Sequence, residues 1–88
     1  MTWIVETTET LSKNVKKHSK NSELLSALDA KIRRLEQDPN SVGGKLAGAL
    51  HGKQSTRLVR KYRLIFQIDE NNKKVYLLAI DHRKDAYD

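Results

Sequence analysis

Apolar residues follow a helical period in the first half of the chain. Between Ser22 and Asp38 they recur every three or four positions, which predicts an amphipathic helix. The apolar positions are Leu24, Leu25, Leu28, Ile32 and Leu35. Ser22 is the predicted N-cap, and Asp38-Pro39 ends the helix because Pro39 disfavours helical geometry at the residue before it.

A shorter helix is predicted upstream of this one. The segment "TWIVET" has the β-branched and aromatic content of a strand, and Thr7 or Thr8 then offers an N-cap. The helix would run to Lys20, with a break at Asn21-Ser22 before the second helix. The two segments therefore predict a helical hairpin after a first strand.

A period of two replaces the helical period in the second half. The segment "STRLVRKYRLIFQID" alternates between two faces, a turn follows at "DENNKK", and "KVYLLAIDH" forms the last strand. One face of the middle strand holds Tyr62, Leu64, Phe66 and Ile68, and the other holds Arg63, Ile65 and Gln67.

The order of elements predicts an α+β fold, with an N-terminal strand, a helical hairpin and an antiparallel sheet that carries the helices on one face. Residues 1–88 are expected to form a single domain. Arg57 and Arg63 would share the uncovered face, and the end of the last strand would bring His82 and Arg83 to the same surface. Clustered cations on an open sheet face are suited to phosphate.

Charge strengthens this interpretation. The net charge is +6, and residues 44–88 hold ten of the 17 Lys and Arg side chains but only five of the 11 acidic ones. Such asymmetry favours a polyanionic partner, either a nucleic acid or an acidic protein. A merely soluble basic surface would give the same total charge.

Several classes of protein are excluded. The chain has no cysteine, which removes disulfides and thiolate metal sites. The N-terminus lacks a secretory signal, and the longest apolar run, "VYLLAI", is too short to cross a bilayer. We expect a cytoplasmic protein without a membrane partner, a metal or a cofactor.

The chain resembles the RelE/ParE superfamily of type II toxin–antitoxin systems. The resemblance rests on an ordered set of motifs: "GKLAG" from Gly44 to Gly48, "YRLIF" from Tyr62 to Phe66, and a terminal "HRKDAY" with His82, Arg83 and Tyr87. It covers essentially the whole chain. The resemblance implies a toxin that a cognate antitoxin holds inactive.

The RelE branch implies a ribosome-dependent endoribonuclease that cuts mRNA in the ribosomal A site. In that reaction the ribose 2′-hydroxyl attacks the adjacent phosphate. By resemblance, Arg63 and Arg57 would stabilise the phosphorane, Arg83 would lie near the leaving oxygen, and Tyr87 would contact the reacting nucleotide. The expected RNA-binding residues are Lys45, His51, Lys53, Arg60 and Lys61, with ribosomal RNA as a further partner.

The acid–base residue is the gap in this resemblance. Neither the carboxylate nor the lysine pair used by family members has a counterpart in the matching segments. Arginine stays protonated and cannot accept the 2′-hydroxyl proton. His82 is therefore the expected base, since imidazole exchanges protons near neutral pH, with His51 and Lys53 as reserves.

Two other functions remain open at this point. A ParE-like member would inhibit DNA gyrase without ribonuclease chemistry. A non-catalytic RNA-binding module, or a decayed toxin, would use the arginines only to hold phosphate, and salt would weaken its binding steeply.

Overall fold

The computed structural model describes residues 2–42, 44–45 and 53–82, with only the backbone described for residues 44–45. Two helices and five strands lie within these residues. In chain order they are β1 (Ile4–Thr7), α1 (Glu9–Lys17), α2 (Ser22–Gln37), a short 3-10 helix (Pro39–Ser41), β2 (Gly44–Lys45), β3 (Gln54–Arg57), β4 (Tyr62–Asp69) and β5 (Lys74–His82).

The helix ends follow local capping chemistry. Thr8, one of the two predicted N-caps, accepts a hydrogen bond from the Leu11 amide. For α2 the prediction of Ser22 is wrong by one residue, because the side chain of Asn21 accepts the bond from the Leu24 amide at 3.1 Å. The helix ends at Gln37, directly before Asp38-Pro39, as the proline predicts.

The strands form one sheet with the order β1-β5-β4-β3-β2. The predicted α+β class is confirmed, and β2 to β5 pair antiparallel along β2-β3, β3-β4 and β4-β5. β1 instead pairs parallel with β5, so the sheet is mixed. The helical hairpin supplies the long crossover that a parallel neighbour requires.

One face of the sheet packs against the helices. The helices contribute Leu11, Leu24, Leu28 and Leu35, and the strands contribute Leu64, Phe66, Val75, Leu77 and Ile80 to the same buried cluster. Tyr62 and Ile68 are partly buried against it, as the alternation of β4 predicts.

None of the described helices has the length and apolar character needed to cross a membrane.

A β-bulge interrupts the pairing of β4 with β5. Ile65 pairs with Ala79 while Phe66 pairs with Leu77, which leaves Leu78 as the extra residue. The Thr8 hydroxyl donates to the carbonyl oxygen of Leu77 at 2.8 Å and also lies 3.2 Å from that of Leu78. Thr8, the N-cap of α1, therefore binds β5 at the bulge, just beyond the end of β1.

Candidate functional site

A row of three charged residues crosses β3, β4 and β5 on the sheet face that points away from the helical core residues. Arg57 pairs with Arg63, and Arg63 pairs with Asp81. Directly paired residues share a face, and neighbouring strands lie about 4.8 Å apart. We name this side of the sheet, with Ser55, Arg57, Arg63, Ile65 and Asp81, the arginine face.

Arg63 is held in place by its neighbour on β3. Its Nη1 atom donates a hydrogen bond to the Ser55 hydroxyl at 3.3 Å, and Ser55 is only 7% exposed. Arg63 is half-buried whereas Arg57 is exposed. One fixed and one exposed guanidinium on adjacent strands can bind a phosphate group from two sides.

His82 lies on the other face of the sheet. It pairs with Tyr62. The next pair along the same face is Leu64 with Ile80, and both of these residues belong to the core. The ring centroids of His82 and Tyr62 are 4.7 Å apart, and His18 approaches Tyr62 from another side at 5.2 Å. The expected meeting of His82 with Arg63 on one face is not found, because the extra residue at Leu78 shifts β5 by one position and sets Asp81 opposite Arg63. The catalytic role of His82 stays a prediction.

Asp81 is the residue that sequence reasoning missed. Without the bulge at Leu78, the hairpin register would set Ile80 opposite Arg63, and the extra residue moves Asp81 there instead. The burial pattern along β5 reflects this change. Buried positions on β5 shift from Val75 and Leu77 to Ile80, which breaks the period of two and marks a bulge.

The expected RNA-binding residues are distributed differently. Arg60 lies in the β3–β4 turn with a positive φ of 55°, and its Nε atom donates to the Glu23 carboxylate on α2 at 3.1 Å. Lys61 is exposed in the same turn and Lys53 is half-buried just before β3. The backbone of Lys45 pairs with Gln54, while its side chain lies outside the described residues. His51, Arg83 and Tyr87 also lie outside the described residues.

The hairpin end of the sheet has balanced charges. Lys74 contacts the Glu6 carboxylate at 3.0 Å, and this hydrogen bond raises the pKa of Lys74. Asn72 donates to Asp69 at 2.8 Å, which lowers the pKa of that carboxyl. On the arginine face, positive charge is therefore concentrated at the end where Arg57 and Arg63 lie.

Within residues 2–42 and 53–82, no three His, Cys, Asp or Glu side chains are grouped closely enough to hold a metal ion.

The fold is shared with solved toxin structures. The toxin–antitoxin complex RelBE2 from Mycobacterium tuberculosis contains a chain that is 29% identical, with a TM-score of 0.79, 94% of this chain covered and 100% of that one. The archaeal RelE–RelB complex from Pyrococcus horikoshii gives 21% identity, a TM-score of 0.73 and coverage of 98% and 100%. YafQ from E. coli gives 18% identity, a TM-score of 0.75 and coverage of 90% and 91%. No curated protein sequence matches the chain.

Fold and pattern together define a type II toxin of the RelE/ParE superfamily. Residues 5–87 match the family described as "ParE toxin of type II toxin-antitoxin system, parDE". The chain belongs to this family of toxins.

Proposed function

We propose that the protein is a ribosome-dependent endoribonuclease that inhibits translation by cutting mRNA in the A site. The observation that carries the proposal is the direct pairing of Arg57 with Arg63 on the arginine face. A trigonal-bipyramidal phosphorane carries more negative charge than the phosphodiester from which it forms. A guanidinium fixed before the reaction, as Arg63 is by Ser55, stabilises that charge without reorganisation.

The two arginines have different parts in this proposal. Arg63, fixed by Ser55, binds a non-bridging oxygen of the scissile phosphate. Arg57 is exposed and closes on the same phosphate from β3. Arg83 and Tyr87 follow β5 in sequence; in this proposal Arg83 acts near the leaving oxygen and Tyr87 contacts the reacting nucleotide. His82 is the base expected from the sequence.

Contacts outside the reacting group are assigned to the remaining cations. Lys45, His51, Lys53, Arg60 and Lys61 are proposed to bind RNA. For Arg60, this requires leaving its ion pair with Glu23 or contacting RNA while the pair persists. The pair is exposed on both sides, and exposed pairs contribute only about 0–1 kcal/mol. RNA can therefore displace Glu23 at little cost.

The test is an in-vitro translation reaction with purified protein, in which the mRNA 5′ ends are mapped by primer extension. Arg63→Ala is compared with wild type, and Arg33→Ala serves as the matched control because Arg33 is exposed on α2 and paired with Asp29 at 3.2 Å. We expect codon-phased cuts that require ribosomes, persist in Arg33→Ala and fall by about 10²–10³-fold in Arg63→Ala. Intact mRNA with normal translation would refute the proposal.

The family match favours a second candidate function, inhibition of DNA gyrase in the manner of ParE toxins. This activity needs no acid–base residue on the arginine face. A gyrase supercoiling assay with the same three proteins separates the candidates. Inhibition of supercoiling together with intact mRNA would assign the protein to the gyrase-inhibiting branch.

We further propose that a cognate antitoxin holds the protein inactive, since the similar RelBE2 and RelE–RelB structures are toxin–antitoxin complexes. An acidic segment would complement the charge of Arg57 and Arg63 and exclude RNA from the arginine face. Competition between such a peptide and RNA, measured by fluorescence anisotropy, tests this. Simultaneous binding of both would contradict it.

A further inference from the structure

We propose that Asp81 is the general base on the arginine face and accepts the proton of the attacking 2′-hydroxyl. This assignment rests on the proposed ribonuclease function and supplies the acid–base residue that the family resemblance leaves open. It also changes the role expected for His82, whose ring lies on the opposite side of the sheet against Tyr62.

The position of Asp81 is determined by the residues on either side of it. The backbone N–H of Ile80 donates to Asn14 Oδ1 on α1 at 2.9 Å, and the Ile80 side chain is buried in the core. His82 is held against Tyr62. Because both neighbours point to the helix-packed face, Asp81 between them points to the arginine face.

On β3 and β4, the charged residues in line with Asp81 across the sheet are cationic. Arg63 is its direct partner on β4, and Arg57 lies on β3, two strand spacings or about 10 Å away along the sheet. An arginine side chain spans more than one strand spacing. A phosphate bound by both guanidiniums therefore lies above β4. The ribose attached to that phosphate can then lie beside Asp81.

The chemistry at this place requires a proton acceptor. Arginine donates only, whereas an ionised carboxylate accepts. The 2′-hydroxyl proton passes to an Asp81 carboxylate oxygen as the bond between O2′ and phosphorus forms. The bond from phosphorus to the 5′ oxygen breaks, its electron pair stays on that oxygen, and a proton from water completes the 5′-hydroxyl. Arg57 and Arg63 offset the charge on the non-bridging oxygens throughout.

Asp81→Asn tests the assignment because it keeps the shape of the side chain and removes the acceptor. Asp69→Asn is the matched control, since Asp69 lies on the same face at the hairpin end, opposite Lys74. Cleavage is measured in single turnover on programmed ribosomes, and ribosome binding is measured separately. We expect Asp81→Asn to bind normally and to cut about 10²–10⁴-fold more slowly. Asp69→Asn should bind and cut as wild type does.

The outcomes distinguish failure of the Asp81 assignment from failure of the ribonuclease function. Cleavage by wild type and equally by Asp81→Asn overturns the role of Asp81 and leaves the ribonuclease function standing. Loss of cleavage in His82→Gln, with cleavage kept in Asp81→Asn, assigns the base to His82 and likewise overturns the proposal. No cleavage by wild type overturns the ribonuclease function and the role of Asp81 with it. If circular dichroism shows that Asp81→Asn does not fold, Asp81→Glu is compared with Asp81→Gln. Only the carboxylate variant, Asp81→Glu, should retain cleavage.

Discussion

The ring of His82 lies against the ring of Tyr62, with centroids 4.7 Å apart and planes inclined at 42°. His18, the C-cap of α1, meets Tyr62 in an edge-on contact at 5.2 Å. Tyr62 thus joins the end of α1 to the end of β5. Because Asp81 directly precedes His82, this contact helps to orient the end of β5 that carries Asp81 on the arginine face.

Tyr62→Ala should destabilise the fold through loss of both ring contacts and of partly buried apolar area. We expect the free energy of unfolding in urea to fall by about 1.5–3 kcal/mol. Tyr62→Phe keeps the ring and should change it by less than about 1 kcal/mol. Equal losses for the two variants would show that the hydroxyl, rather than the ring, carries the stabilisation.

Ser55→Ala tests the fixation of Arg63 by the Ser55 hydroxyl. Without this acceptor the guanidinium samples more orientations, so single-turnover cleavage should fall while ribosome binding stays unchanged. One hydrogen bond to a charged group is worth about 1.5–3 kcal/mol, which corresponds to roughly a tenfold to hundredfold loss of rate.

Ser55→Thr is the control for that experiment because it restores a hydroxyl at the same position. Rescue of cleavage by Ser55→Thr would support the positioning role. A uniform loss of ribosome binding in Ser55→Ala would instead mean that Ser55 contributes to the RNA surface as a whole.

Much of this architecture could be predicted from the sequence, since hydrophobic period and capping are local properties. The stripe on α2 and the alternation of β4 both correspond to buried faces. The stop at Asp38-Pro39 follows from the geometry of proline. The sharing of one face by Arg57 and Arg63 also follows, because a short turn between two strands leaves few registers.

The relation of β5 to the site could not be predicted in the same way. It depends on one extra residue at Leu78, and a shift of one residue exchanges the two faces of a strand. That bulge is stabilised by Thr8, which lies 69 residues from Leu77 in the chain. Simple alternation from Leu77 therefore gives the wrong face for both Asp81 and His82. The parallel pairing of β1 is likewise a tertiary property.

Asn14→Ala should loosen β5 where it passes α1. The Asn14 side chain accepts from the Ile80 amide at 2.9 Å, and this bond takes the place of a strand partner beyond the end of β1. Its removal leaves a partly buried N–H without its acceptor, at a cost of about 1–3 kcal/mol. Urea unfolding gives the change in stability, and amide hydrogen exchange at Ile80 should accelerate.

Ser12→Ala is the comparison for Asn14→Ala, because Ser12 is an exposed residue of the same helix. It should change the free energy of unfolding by less than about 0.5 kcal/mol. Unchanged protection of the Ile80 amide in Asn14→Ala would contradict the proposed role of this side chain.

Asn72→Ala should raise the pKa of Asp69, because the Asn72 side chain provides the largest contribution to its depression. A carboxyl with a lowered folded-state pKa stabilises the fold above its unfolded pKa, and this contribution is lost as pH falls through the folded value. The slope of stability against pH should therefore be smaller in Asn72→Ala than in wild type on the acid side. NMR titration of the Asp69 carboxyl measures the pKa directly, and Asn71→Ala, in the same turn, should shift it less. An unchanged Asp69 titration in Asn72→Ala would mean that the hydrogen bond at 2.8 Å does not persist in solution.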